Sequence, residues 1–280
     1  MAAASPTVRR RRLGIEMRRL REQAGLLIET VARELECSMS KISRIETGKA
    51  VARTRDIRDM LTMYGVADER QRELLLSLTR EAQRHGWWEQ YDRILPPGLN
   101  TYIGLEAEAA VVRGYEPHVV PGLLQTADYA RTVIRAEHPD ASVDEVDRRV
   151  ELRMRRQAND SPPQLWVILD EAALKRPIGG RETFREQLRQ LIEVTEQPRV
   201  TVQILPFTAG EYGSMGSAFS LLAFPEPADP GIVYVETRAG SLYLEGQEVR
   251  EFNRVFEHLV ATAVSARESR TLIQEAIDER

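Results

Sequence analysis

Gly25-Leu26-Leu27-Ile28-Glu29-Thr30-Val31-Ala32-Arg33-Glu34-Leu35-Glu36-Cys37-Ser38-Met39-Ser40-Lys41-Ile42-Ser43-Arg44-Ile45-Glu46-Thr47-Gly48 is the stretch that decides the fold of the first part of the chain. Apolar residues recur in it at helical spacing, which predicts one helix over about 28–35 and a second over about 38–46. Two short helices that cross steeply need a small residue where they touch, and Ala32 supplies it. Val31, Leu35, Ile42 and Ile45 then form the shared core, each contributing roughly 1.5–3 kcal/mol on burial. Ser38 is an N-cap whose hydroxyl can accept a free backbone N–H, and Gly48 closes the second helix. With Ile42 and Ile45 inward, helical geometry turns Met39, Ser40, Ser43 and Arg44 outward, with Lys41 beside them. Such a ridge suits the DNA major groove: Arg44 for guanine, the serines for either base type, Met39 for a thymine methyl.

Working outward, a helix carrying Leu13, Ile15, Met17 and Leu20 precedes this pair and stops near Gly25. The basic run Val8–Arg12 before it reads equally as a solvated arm or as a phosphate or minor-groove contact. A fourth helix is predicted over about 54–64 and a fifth over about 69–85. Charge divides along the same line. Residues 1–60 hold 14 Lys/Arg against 8 Asp/Glu, while the whole chain of 280 residues has a net charge of −4. A basic head on an acidic body implies nucleic acid at one end only. Arg18, Ser38, Lys49, Arg53 and Arg55 are the candidate phosphate contacts, and about six neutralised phosphates would give a salt slope near −5.

The sequence predicts an all-α helix-turn-helix domain, lambda repressor-like, over 8–85, a linker over 86–101 around Leu95-Pro96-Pro97-Gly98, and an α+β domain over 102–280. In the last, helical patterns near 104–113, 126–137 and 143–156 precede β-like segments at 165–169, 200–205, 218–224, 232–236 and 241–244. A strong helix over 182–196 separates the first two of these, and two helices end the chain. That order implies a largely antiparallel sheet.

The motif Ser38-x-x-x-Ile42-Ser43-x-Ile45-Glu46-x-Gly48 resembles the recognition helix of the XRE (phage repressor/Cro-like) family. The resemblance implies a buried ion pair between Arg21 and Glu46. Two positions depart from the family pattern: Ile28 stands where glutamine usually opens the helix, and Glu36 replaces the usual turn glycine, which lowers the expectation of a positive φ there. Over the full length, the succession Gly86-Trp87-Trp88-Glu89-Gln90-Tyr91, Tyr102-Ile103-Gly104-Leu105-Glu106-Ala107-Glu108-Ala109, Tyr115-Glu116-Pro117-His118-Val119-Val120-Pro121-Gly122-Leu123-Leu124-Gln125-Thr126 and Leu169-Asp170-Glu171-Ala172-Ala173-Leu174 is similar to the WhiJ-like regulators of actinobacteria. That similarity implies transcriptional control, operator DNA as a partner, and a small BldB-like partner protein, in an antitoxin-like pairing for some members. Two-fold binding by a homodimer would call for a palindromic operator.

Enzyme chemistry finds little support. His85, His118, His138 and His258 lack metal-ligand spacing, the single Cys37 excludes an internal disulfide, and there is no phosphate loop or nucleophile elbow. No cofactor or metal is implied. Asp170-Glu171 at a strand end reads as a cap or a salt bridge with Arg176, and Trp87 and Trp88 as fasteners of the linker. A ligand pocket beside the sheet would draw on Trp166, Tyr212, Tyr234, Glu236 and Tyr243. No apolar run approaches a membrane span or a secretory signal, so the expected location is the cytoplasm.

Overall fold

The computed structural model describes residues 6–83, 86–96, 98–159, 161–226, 229–237 and 240–279. His85 and Pro97, both singled out above, lie outside the described residues. The chain divides between residues 89 and 90 into two units.

Among its described residues the N-terminal unit contains five α-helices: α1 (Pro6–Gln23), α2 (Ile28–Glu34), α3 (Met39–Glu46), α4 (Thr54–Met63) and α5 (Glu69–Ala82). Their common core is Met17, Val31, Ile42, Ile45, Ile57, Met60 and Leu61, all buried. α1 and α3 pack so closely that a Cβ on Gly14 would stand 2.4 Å from the Glu46 carbonyl oxygen. Only glycine allows that approach. Gly25, at φ +69°, ends α1 as the sequence suggested.

The basic run Val8–Arg12 is not an arm. It forms the first turns of α1, with Arg9 and Arg11 buried. Arg9 Nε lies 3.2 Å from Glu81, and Arg10 Nε donates to the Ala82 carbonyl at 2.8 Å. The helical phase that buries Leu13 and Met17 continues backwards and brings these guanidinium groups against the end of α5.

The C-terminal unit begins within a 3-10 run, Trp87–Ile94. It continues with α6 (Leu99–Glu106), β1 (Val111–Glu116), α7 (Ala127–Glu137), α8 (Val143–Gln157), β2 (Gln164–Asp170), α9 (Ala172–Lys175) and α10 (Gly180–Val194). β3 (Val200–Leu205), β4 (Phe219–Ala223), β5 (Ile232–Thr237), β6 (Gly240–Leu244), α11 (Gln247–Thr262) and α12 (Ala266–Asp278) complete it. The strands form one sheet in the order β3-β2-β1-β4-β5-β6. Three of its pairings, β1–β4, β4–β5 and β5–β6, are antiparallel, and β1–β2 and β2–β3 are parallel. An α+β domain with a mostly antiparallel sheet is therefore present.

One element differs from the sequence reading. The helix expected near 104–113 stops at Glu106, and Val111–Glu116 is strand β1 at the centre of the sheet. The alanines at 107, 109 and 110 prolong a helical pattern. Pairing with neighbours on both sides decides otherwise for the branched and aromatic residues that follow.

On one face of the sheet Tyr115, Ile168, Phe219 and Val233 pack against Val249, Phe256 and Leu259 of α11. On the other, Tyr102 of α6 stacks on Tyr234 of β5 with ring centroids 4.1 Å apart. Arg156 of α8 forms a buried bidentate pair with Glu106 of α6 at 2.8 and 2.7 Å, which sets α8 beside it. The β3 edge is closed by α12, because Ile204 donates its amide to the Ser269 hydroxyl at 2.8 Å.

Candidate nucleic-acid interface

Local chemistry fixes where α3 begins. The Ser38 hydroxyl accepts the Lys41 amide at 3.2 Å, so this side chain is spent on capping. Ile42 and Ile45 are buried, and their phase leaves Met39, Ser40, Ser43 and Arg44 exposed on the opposite side. Four of the five side chains assigned to base reading thus share one outward ridge.

The fifth does not. Lys41 Nζ lies 2.6 Å from Asp56 Oδ2 in the first turn of α4, and Lys41 is only partly exposed. Asp56 was not anticipated. The one signal for it in the sequence is an acid standing among the cations Arg53, Arg55 and Arg58.

The candidate phosphate contacts are of two kinds. Lys49 and Arg53 are exposed and, like that of Arg44, their side chains have no hydrogen-bond or ion-pair partner among the described residues. Arg18 is held by Glu22 at 2.8 Å, and Arg55 stands 3.7 Å from Asp59. Both of these pairs are exposed i,i+4 contacts, worth a few tenths of a kcal/mol, and a phosphate can displace them. Two exposed apolar side chains, Leu27 and Val51, also lie on loops of this unit.

Beneath the ridge, Arg21 and Glu46 meet in a buried bidentate pair, with Nε–Oε1 at 2.7 Å and Nη2–Oε2 at 2.9 Å. Arg21 Nη1 also donates to the Leu26 carbonyl at 2.8 Å, so one side chain ties α1, the α1–α2 loop and the end of α3 together. Hydrogen bonding to Glu46 holds the Arg21 guanidinium above its ordinary value, against the opposing effect of burial. Burial, then the charge of Glu46, raises the nearby Tyr64 phenol well beyond its usual range. The α2–α3 turn carries its own strain: Glu36 has φ +48° although it is not glycine. The lowered expectation of a positive φ is thereby corrected. Backbone bonds around the turn, Glu36 N to Arg33 O at 3.1 Å and Cys37 N to Ala32 O at 2.9 Å, impose the conformation whatever the side chain.

The five residues assigned to a pocket in the C-terminal unit are not brought together. Trp166 lies on the α11 side, edge-on to Phe256 at 5.7 Å, with its indole N–H donated to Gln203 at 2.8 Å. Tyr212 belongs to the same side and donates to Asp170 Oδ2 at 3.1 Å. Tyr234, Glu236 and Tyr243 point to the opposite side, where Tyr243 donates to the Gly98 carbonyl at 2.7 Å. Strand alternation separates the two groups. Asp170 acts as a strand-end cap, accepting the Ala172 amide at 2.8 Å. Its neighbour Glu171 reaches the Phe207 amide and, at 4.0 Å, Lys175.

Residues 12–75 match a family described as a helix-turn-helix domain, and residues 99–275 match one described as a domain of unknown function, DUF5753. No curated protein and no solved structure matches the chain. The first match and the outward ridge of α3 agree with the XRE-like reading of the N-terminal unit, that of a DNA-binding regulator. Among the described residues, no helix is long and apolar enough to cross a membrane.

Proposed function

The chain belongs to the DUF5753 family, and on that premise we propose that it is a sequence-specific, DNA-binding transcriptional regulator of the WhiJ-like type rather than an enzyme. Its C-terminal unit receives a signal from a partner protein or a small ligand, and it acts in the cytoplasm. The observation that carries the reading is the exposed set Met39, Ser40, Ser43 and Arg44 on a helix whose orientation is fixed from beneath by the Arg21–Glu46 pair. A single eight-residue helix reads only a few base pairs. A homodimer on a palindromic operator, with half-sites one helical turn or a multiple apart, would supply the missing contacts.

Footprinting over the region upstream of the protein's own gene, with and without a small BldB-like neighbour, tests this reading. A protected, two-fold symmetric site supports it. Equal affinity for that fragment and for random duplex at moderate salt overturns it. Within such a site, Arg44→Ala costs about 1–3 kcal/mol and relaxes preference at one base position. Lys49→Ala weakens all sequences alike.

A further inference from the structure

The corner between α7 and α8 holds a cavity of about 270 Å³, partly open to solvent and lined by Arg135, His138, Pro139, Ala141, Val143 and Val146. Its walls are firmly held. Ala130, Ile134, Val146 and Val150 pack the two helices together, and Arg131 pairs with Asp147 across them. In the connection, the Ala141 amide donates to the His138 carbonyl at 3.1 Å. The Ser142 hydroxyl then accepts the Glu145 amide at 3.2 Å and caps α8. Helix packing and capping thus set the shape of the cavity.

The lining has two chemical halves. Pro139, Ala141, Val143 and Val146 are apolar; Val146 is buried, whereas Val143 is 61% exposed, an apolar side chain left in contact with water. Arg135 and His138 supply N–H donors that nothing uses. The Arg135 side chain is exposed and has no hydrogen-bond or ion-pair partner among the described residues. His138 Nε2 lies 3.1 Å from Arg149 Nη1. A guanidinium only donates, so Nε2 accepts and the neutral ring carries its proton on Nδ1. That Nδ1–H has no partner among the described residues either. Burial, then the charge of Arg149, holds the ring below its ordinary value, which keeps this neutral form at pH 7. Arg149 is in turn held by Glu145 Oε1, through Nη2 at 2.8 Å and Nε at 3.2 Å. Glu145 is thereby consumed, and the exposed acids Glu137, Asp140 and Asp144 do not line the cavity.

We infer that this cavity binds a small organic monoanion, a carboxylate on a short apolar tail, with the carboxylate on Arg135 and His138 and the tail against Val143 and Val146. The sign follows from the donors: one cation and one neutral N–H, with no acceptor side chain left in the lining to satisfy them. The tail follows from the apolar half, where it would remove Val143 from water. The size follows from the volume: a cavity of roughly 150 Å³ takes benzene, so this one admits an acid of about benzoate size. A phosphate dianion suits it less, because Glu137, Asp140 and Asp144 belong to the same corner. The site gives a chemical class to the small ligand of the reading above, and it rests on that reading only for what binding would bring about.

The test is titration calorimetry on the full chain without DNA, in HEPES at pH 7, with benzoate and 3-methylbutanoate as probes. The controls are 3-methylbutan-1-ol, which has the tail without the charge, and inorganic phosphate. At least one carboxylate should bind saturably with Kd at or below about 1 mM, and each control at least about fivefold more weakly. Arg135→Gln removes the cation and Val143→Glu sets a carboxylate in the wall; each should weaken binding at least about fivefold. Both positions are exposed, so the variants are expected to fold, and circular dichroism checks this. Arg185→Gln, at an exposed residue of α10, should leave binding unchanged. No saturable binding by either carboxylate, a smaller loss in the folded variants, the same loss in Arg185→Gln, or a control that binds as well overturns the inference. No DNA is present, so a failure here is distinct from a failure of the footprinting that tests the DNA-binding reading.

Discussion

Glu36 is held at φ +48°, and replacing it with glycine should stabilise the N-terminal unit. An L-residue with a Cβ pays roughly 1–2 kcal/mol in the left-handed region. Glycine avoids that cost but gives back about 0.5–1 kcal/mol through the extra freedom of its unfolded chain. The Glu36 side chain is exposed and makes no hydrogen bond or ion pair, so truncation removes no contact. The net gain for Glu36→Gly is about 0.5–1 kcal/mol. Glu36→Ala keeps the Cβ and should stay within about 0.5 kcal/mol of the parent. Hydrogen exchange at the Ile42 and Ile45 amides of the full chain reads the opening of this unit directly. Those amides should exchange about 2–5-fold more slowly in Glu36→Gly and at an unchanged rate in Glu36→Ala. If glycine were neutral or destabilising while alanine was neutral, the turn would not be strained and the argument from φ would fail.

Other perturbations probe other parts of the structure. Glu46→Gln leaves Arg21 buried beside a neutral partner and should cost about 3–5 kcal/mol, visible as early melting of the N-terminal unit; a loss below 1 kcal/mol would show the pair to be dispensable. Asp56→Asn frees Lys41 for phosphate, so the slope of log affinity against log salt should steepen by about 0.9 and preference over random duplex should fall; an unchanged slope refutes this. Glu116 has a carboxyl raised to about 8 in the folded state against 4.5 unfolded, so its burial costs nothing below about pH 4.5 and its full amount above pH 8. Glu116→Gln should therefore leave stability unchanged at pH 4 and raise it by about 2 kcal/mol at pH 8.5, less than the full displacement implies because the residue keeps some solvent contact. Thermal melts at the two pH values decide it.

The N-terminal unit was legible because local signals and tertiary packing agree. Val31, Ile42 and Ile45 sit at helical spacing and are buried, Ser38 caps, and Gly25 terminates. Where the reading failed, information from distant parts of the chain was needed. Whether Arg9 and Arg10 form an arm or a helix depends on Glu81 and Ala82, more than 70 residues away. Whether Lys41 is free depends on Asp56 in the next helix, and a helical wheel of α3 alone cannot contain that fact. Val111-Val112 became a central strand through partners at 164–169 and 219–223.

The pocket illustrates a different limit. Trp166, Tyr212, Tyr234, Glu236 and Tyr243 were grouped because they are aromatic or polar near strands, but a strand sends successive side chains to opposite faces. Trp166 belongs with Phe256 and Tyr234 with Tyr102, across the sheet from each other. Face membership needs the register, and register needs the strand order, in which β1 lies beside β4 although four α-helices and two strands separate them in sequence. Once the register is known, the grouping changes. Glu236 keeps its place beside Tyr234 and Tyr243, while Trp166 and Tyr212 belong to the opposite face. A charge with no partner at the end of a central strand is invisible in sequence because what distinguishes it is the absence of a neighbour. That is why Glu116, which reads as one unremarked residue beside His118, becomes informative only when every nearby arginine has been accounted for.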